Sequence, residues 1–290
     1  MAKTVDEAFS TLLGWLTPTT GDTSRAKQHR ASIEACLKRH FSITRFFRIG
    51  SFGNGTSIHG HSDVDYLASF PSHHIESNSM TFLGKVGRAL DARFPRTGVT
   101  TDPPAVVVPF GSDKSEWTEV VPAKRVGETK LGFPMYHIPD ASGGWLTSSP
   151  ESHNAYVADA DLKKSRKVKA LVRLVKAWSY YNDVGISSFY LELFTTRYAN
   201  QESAIIYRMD VQRVLSALKA NGLEAIADPR NISGQVSACD DWMSRWSAQM
   251  KVDAALGFAN RAMQAENEGR TADAFRYWDQ VYAGKFPAYY

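Results

Sequence analysis

The periodicity of this chain changes near residue 150, and no single layer of secondary structure accommodates both halves. Before that point, short runs alternate or are continuously apolar in the manner of strands. These are Arg45 to Ile49, Asp63 to Phe70 (DVDYLASF), Ala105–Phe110 (AVVVPF) and Glu116–Pro122 (EWTEVVP). Helical spacing appears between them over 24–40 and 79–93. Beyond Pro150 the pattern is almost wholly helical, predicting helices over 161–182, 186–199, 203–221, 236–249, 251–268 and 270–283. The expectation is an α+β protein in two lobes. Residues 1–150 would form a lobe with a twisted mixed sheet and an N-terminal spine helix, and residues 151–290 a helical lobe, with a cleft between them. No internal repeat, low-complexity tract or long linker separates the two.

Composition narrows the class. The chain has 290 residues, 43% hydrophobic and 22% charged, enough to bury a sizeable core. Its longest apolar stretch, Ala105 to Val108, falls far short of the ~20 residues that span a bilayer. The N-terminus (MAKTVDEAFS) lacks a signal-peptide pattern, which points to a cytoplasmic protein without membrane association. The two cysteines, Cys36 and Cys239, exclude a disulfide framework and any zinc site built on paired CxxC elements, and read as packed thiols. A net charge of +4 suits an anionic ligand but lacks the concentrated charge of nucleic-acid binders.

The chemistry concentrates in Gly50-Ser51-Phe52-Gly53-Asn54-Gly55-Thr56-Ser57-Ile58 and Ser62-Asp63-Val64-Asp65. On a strand, residues i and i+2 share a face, so Asp63 and Asp65 would present two carboxylates side by side. Their repulsion is relieved by a divalent cation, and hard oxygen donors select Mg²⁺ or Mn²⁺. Two such ions can activate a hydroxyl and stabilise a leaving pyrophosphate. Gly50, Gly53 and Gly55 allow backbone N–H groups to approach a phosphate, Ser51 adds a hydroxyl, and Thr56 or Ser57 could cap a following short helix. There is no GxxxxGK[ST] and no third Rossmann or kinase glycine, since position 58 is isoleucine. A third carboxylate is expected from a neighbouring strand. Glu119 is the best candidate, because an acid within an apolar strand is costly without a partner; Glu116 and Asp113 are its rivals.

The string GSFGNGTSIHGHSDVDYL resembles the GS…T…SDxD motif of the polymerase-β-like nucleotidyltransferases. More narrowly, it resembles that of the bacterial cGAS/DncV-like nucleotidyltransferases (CD-NTases), the cyclic oligonucleotide synthases of CBASS anti-phage systems. Glu119-Val120-Val121-Pro122-Ala123 resembles the third-acid strand, and Gly144-Trp145…Ser149-Pro150…His153 the passage into the helical lobe. Ala170–Trp178 and Ser187–Glu192 resemble elements flanking the donor nucleotide, and Trp278…Phe286-Pro287 the usual end of such chains, with no added domain. The resemblance covers roughly residues 25–290.

It implies a polymerase-β-like fold and template-independent joining of NTPs (ATP, GTP or another) into a cyclic di- or trinucleotide second messenger, with loss of pyrophosphate. It further implies two Mg²⁺ (or Mn²⁺) ions on Asp63, Asp65 and Glu119, although many relatives have Asp at the third position. Gly50 and Ser51 would hold the donor triphosphate, with Lys176 approaching it. Ser188 would touch phosphate and Phe189, where relatives often have Tyr, would stack on the base. The product would be read by a separate effector protein, and regulatory partner proteins fit the family. The cysteine count leaves no zinc insertion for DNA sensing of the kind in animal cyclic GMP-AMP synthase. Linear oligonucleotide or RNA-tailing synthesis on the same site, and an inactive nucleotide-binding module, are the rival functions.

In the helical half, Arg166, Lys169, Arg173 and Lys176 recur at helical spacing beside an apolar face of Val168, Leu171, Val172 and Val175. A basic stripe suits polyphosphate, an ordinary solvated cationic face being the alternative; Phe189 could equally belong to the core. His59, His61, His73 and His74 match no zinc helix motif and read as loop histidines. Trp242, Trp246 and Trp278, on predicted helices, read as core or interlobe packing.

Overall fold

The computed structural model describes residues 2–18, 20–60, 63–111 and 116–290, side chains excepted at 20–26 and 116. His61, Ser62, Asp113 and the Glu116 side chain lie outside what is described. The chain forms two compact units. One comprises Pro18–Gly55 and Ser62–Tyr156; the other comprises Met1–Thr17, Thr56–His61 and Val157–Tyr290. The expected division at residue 150 therefore differs in three places. The first helix and a short internal crossing belong with the helical half, and the boundary falls at Tyr156/Val157.

The sheet unit holds α2 (Thr20–Phe41), β1 (Arg45–Arg48), α3 (Gly50–Asn54), β2 (Val64–Ser69) and α4 (Ser79–Arg93). β3 (Thr100–Asp102), β4 (Ala105–Phe110), β5 (Glu116–Glu128), β6 (Pro134–Pro139) and β7 (Trp145–Ser148) follow. The strands run in the order β1-β2-β5-β4-β3, with β6 added to β5 and β7 to β6. β2 and β5 pair in parallel and the other pairings are antiparallel, so the sheet is mixed. Alternation sorts its faces. Phe46, Tyr66, Ala68, Val106, Val108 and Val120 point to one side, where they bury against Ile33 and Leu37 of α2 and Phe82, Val86 and Leu90 of α4. The opposite side carries only a small cluster, Leu67, Ala123 and Tyr136 with Phe47, Ile49 and Ile138 packed on it. That thin cover leaves room for polar side chains. β6 and β7 were not anticipated, because their half-buried residues interrupt the apolar alternation.

The helical unit contains α1 (Val5–Leu16), the second half of α5 (Pro150–Lys163), α6 (Val168–Tyr181), α7 (Ser188–Gln201), α8 (Tyr207–Asn221), α9 (Trp242–Asn267) and α10 (Thr271–Val281). A small hairpin joins β8 (Ile226–Ala227) to β9 (Gln235–Val236). A Thr4/Glu7 capping box starts α1. Phe9 then meets Trp278 and Phe286 edge to face, at ring separations of 4.9 and 5.1 Å. The expected helix 161–182 is in fact two. Ser165 and Arg166 adopt φ of 56° and 61°, and the Asp161 carboxylate accepts from the Lys169 backbone N–H at 3.0 Å, which breaks the chain direction between α5 and α6. Conversely, 236–249 and 251–268 merge into α9. Ala248, Val252, Ala255, Ala259, Ala262 and Ala265 form one uninterrupted buried stripe there, with no proline to stop it and a single glycine, Gly257, that the helix runs through. Trp278 is buried as expected, but Trp242 and Trp246 are 75% and 60% exposed at the start of α9 and form no core.

Candidate active site

The parallel register of β2 and β5 sets Asp65 directly opposite Glu119. Their neighbours Tyr66 and Val120 are wholly buried on the α2/α4 side, so the two carboxyls project from the other face. Their side chains stand within hydrogen-bonding reach of one another. Desolvation, then the charge of Asp63, pushes the Glu119 pKa up; the bond with Asp65 opposes this and Asp102 adds to it. Asp63 lies just before β2 and keeps solvent contact, yet the protein around its carboxyl removes enough water to raise its pKa too. Asp102 is an acid that sequence reading missed. Thr100 pairs with Val107, and Val107 with Glu119, so alternation along β3 places Asp102 on the carboxylate face. The signal was the short hairpin before β4, hidden by its prolines.

Among the described residues, no three His, Cys, Asp or Glu side chains are gathered tightly enough to enclose a metal ion by themselves. The donor chemistry nonetheless fits one. The cluster offers only carboxylate oxygens, two of its members have raised pKa values, and a hard divalent cation would relieve the repulsion among them.

The glycine turn is built against this cluster. The Ile49 N–H donates to the Asp65 carbonyl at 2.9 Å, bringing the chain back alongside β2. Gly50 follows with φ 61°, and a Cβ there would stand 1.8 Å from Asp65 Oδ2, so no side chain fits. Ser51 sits half-buried in the first turn of α3, whose last residue is followed by Gly55 in the left-handed region, its N–H donating to the Ser51 carbonyl. The expected phosphate loop is thus a helical turn and a half. Thr56 and Ser57 cap no following helix: among the described residues none begins before β2, and both side chains are buried.

The remaining candidates lie in the helical unit. Lys176 is only 2% exposed, and its Nζ donates to the Thr56 carbonyl at 3.4 Å. The basic stripe dissolves: Arg166 precedes α6 in a left-handed turn, and desolvation lowers the pKa of the half-buried Arg173. Ser188 opens α7 beside its N-cap Ser187, and Phe189 is 37% exposed, so it is not a core residue. Lys176 and Ser188 line a cavity of about 200 Å³ together with Tyr180, Asp183, Ile186 and Leu191. His73 and His74 stand side by side in a turn over 72–74, and burial raises the pKa of both cysteine thiols, which disfavours the thiolate.

Comparison with known proteins gives the family and the fold. A family model, the Second Messenger Oligonucleotide or Dinucleotide Synthetase domain, matches residues 3–161. A cyclic AMP-AMP-AMP synthase from Acinetobacter sp. is 23% identical over 98% of this chain and 86% of its own length. In fold, the chain is similar to E. coli MS115-1 CdnC solved with ATP (TM-score 0.76, 18% identity, 97% and 98% of the two chains). It is also similar to Vibrio cholerae DncV, a cyclic AMP-GMP synthase solved with a linear intermediate (TM-score 0.77, 11% identity, 99% and 97%). With a family match across more than half its length and the polymerase-β-like fold throughout, the chain belongs to the Second Messenger Oligonucleotide or Dinucleotide Synthetase family, the CD-NTases.

Proposed function

We infer that Asp63, Asp65 and Glu119 hold the divalent cations, and Gly50 and Ser51 the donor triphosphate, of a nucleotidyltransferase that synthesises a cyclic oligonucleotide. The synthase activity follows from family membership. The observation that carries the site assignment is the register pair Asp65–Glu119, two carboxyls forced together beside a third. Nothing in packing calls for that arrangement, and it is costly until a cation joins it. The cations, when bound, supply charge neutralisation at the α-phosphate and the leaving pyrophosphate and lower the pKa of the attacking hydroxyl. The chain's own part is placement. Gly50 brings backbone against the carboxylate face, Ser51 offers a hydroxyl to phosphate, and Asp63, Asp65 and Glu119 fix where the reacting oxygens go. Ser188 and the exposed Phe189 serve phosphate and base in the same reading, and Lys176 lines the cavity that Ser188 opens.

ATP is the first substrate to test, because the Acinetobacter relative is named a cyclic AMP-AMP-AMP synthase. A regulatory protein is a candidate partner, since the E. coli relative was also solved as a CdnC:HORMA complex. No described helix is long and apolar enough to cross a membrane. The proposed setting is the cytoplasm, where a separate effector would read the product. The test is purified protein with Mg²⁺ and all four NTPs, analysed by mass spectrometry. A phosphatase-resistant cyclic product is expected, lost by about 10³-fold or more in Asp63→Asn and Asp65→Asn. A phosphatase-sensitive ladder would overturn cyclisation, and wild-type output from both variants would overturn the site.

A further inference from the structure

Between the glycine turn and the carboxylate strand, the chain leaves the sheet unit. Gly55 is its last residue there, and Thr56–His61 packs as part of the helical unit before the chain returns at Ser62. This crossing is polar in sequence, yet Thr56, Ser57 and Ile58 are almost wholly inaccessible, while His59 and Gly60 are exposed. Buried hydroxyls and carbonyls require partners. Thr56 has one for each: its Oγ1 donates to Glu192 Oε2 on α7, and its carbonyl accepts from Lys176 Nζ on α6 at 3.4 Å. Further along, the His59 N–H donates to the Leu16 carbonyl at 2.9 Å. Glu192 is 7% exposed, and its own carbonyl accepts from Thr196 Oγ1 at 2.7 Å. An anionic and a cationic side chain from two helices thus converge on one threonine.

We propose that Glu192 is a positioning residue for nucleotidyl transfer. Through Thr56 it fixes the crossing whose two ends are the Gly50–Ser51 turn and the Asp63–Asp65 carboxylates. Packing alone would be met by leucine or methionine at this place. A carboxylate so deeply buried is tolerated only for the hydrogen bonds it accepts, and one of these lands on the crossing. Glu192 touches neither substrate nor cation in this scheme. Its effect passes through Thr56 and then along the backbone to Ser51 on one side and Asp63 on the other. The inference rests on the active-site reading above.

The test uses full-length protein and compares Thr56→Val, which keeps the shape and removes the hydroxyl, with Thr56→Ser, which restores the hydroxyl. Pyrophosphate release per folded molecule should fall about 10- to 100-fold in kcat for Thr56→Val, with KM for NTP held within about threefold, because misplacement costs chemistry more than binding. Thr56→Ser should return kcat to within about threefold of wild type. Without nucleotide or cation, backbone amides of residues 57–60 should exchange hydrogen about tenfold faster in Thr56→Val and at the wild-type rate in Thr56→Ser. Should Thr56→Val not fold, Glu192→Gln carries the test on the same readouts, with a smaller loss because the amide oxygen still accepts from the hydroxyl. Wild-type kcat and exchange in the variant that folds, a loss confined to KM, or a Thr56→Ser as impaired as Thr56→Val would overturn the proposal. Asp65→Asn in the same assay separates the two layers. If it stays active, the active-site reading fails; if it is dead while Thr56→Val turns over normally, only the role of Glu192 fails.

Discussion

On the sheet, the carboxyls of Asp65 and Glu119 face each other while Asp63 adds negative charge nearby. In the helical unit, Glu192 and Lys176 each find a neutral partner in Thr56. Both places take charged groups out of water, yet only the first leaves them at odds with one another. Like charges brought together by strand register mark a place where a missing cation or substrate belongs. Charges satisfied by a hydroxyl and a carbonyl mark a place where the chain is held still. The difference separates chemistry from positioning within one molecule.

Three measurements press on that contrast. The largest effect is expected from Gly50→Ala. The new methyl would occupy the position of Asp65 Oδ2, so the carboxylate must move, and product formation should fall about 10²-fold with the protein still folded. Unchanged synthesis in that variant would detach Gly50 from the carboxylate face. Next, Phe189→Ala removes an exposed ring that packs no core. KM for the nucleotide should rise about 5- to 50-fold, as expected for loss of one base–aromatic stack, with little change in thermal midpoint. A large drop in the midpoint without a KM change would return Phe189 to a packing role. The smallest effect concerns pH. Glu119 has its pKa raised above 4.5, so in cation-free protein stability is fullest below that value and is lost as pH climbs through the raised folded pKa. The thermal midpoint should therefore decline by a few degrees over that climb, Glu119→Gln should flatten the decline, and added Mg²⁺ should offset it at neutral pH. A midpoint independent of both pH and Mg²⁺ would mean the carboxyls do not oppose one another.

Much of the acidic face could be read in the sequence. Spacing alone set Asp63 and Asp65 side by side, although Asp63 lies just before β2, and Glu119 stood out because apolar residues surround it in β5. What could not be read was which strands pair. The Asp65–Glu119 opposition depends on a parallel ladder between segments far apart in sequence, and Asp102 joins the same face only through β3 and β4. In the helical half, periodicity located α8 and α10 closely but gave no sign of how deeply Lys176 is buried. Its amine reaches a buried carbonyl contributed by a remote loop, a contact that spacing along α6 does not reveal. Arg166 failed for a local reason: a left-handed turn stops the helix that would have aligned it with Lys169. Thr56, Ser57 and Ile58 carry no periodicity at all, so only the fold assigns them to the helices.

The parallel pairing of β2 with β5 also guards its own alignment. Sliding β2 by one residue would turn Asp65 inward among the phenylalanines and valines beneath α2 and α4, and lift Tyr66 into water. An ionised carboxylate in that interior is prohibitively expensive, so the slipped strand is rejected while the sheet assembles. The acids proposed to carry the protein's chemistry thus also act as proofreaders of its folding. A variant that neutralises Asp65 and Glu119 together would lose catalysis and, with it, one of the safeguards against a misaligned sheet.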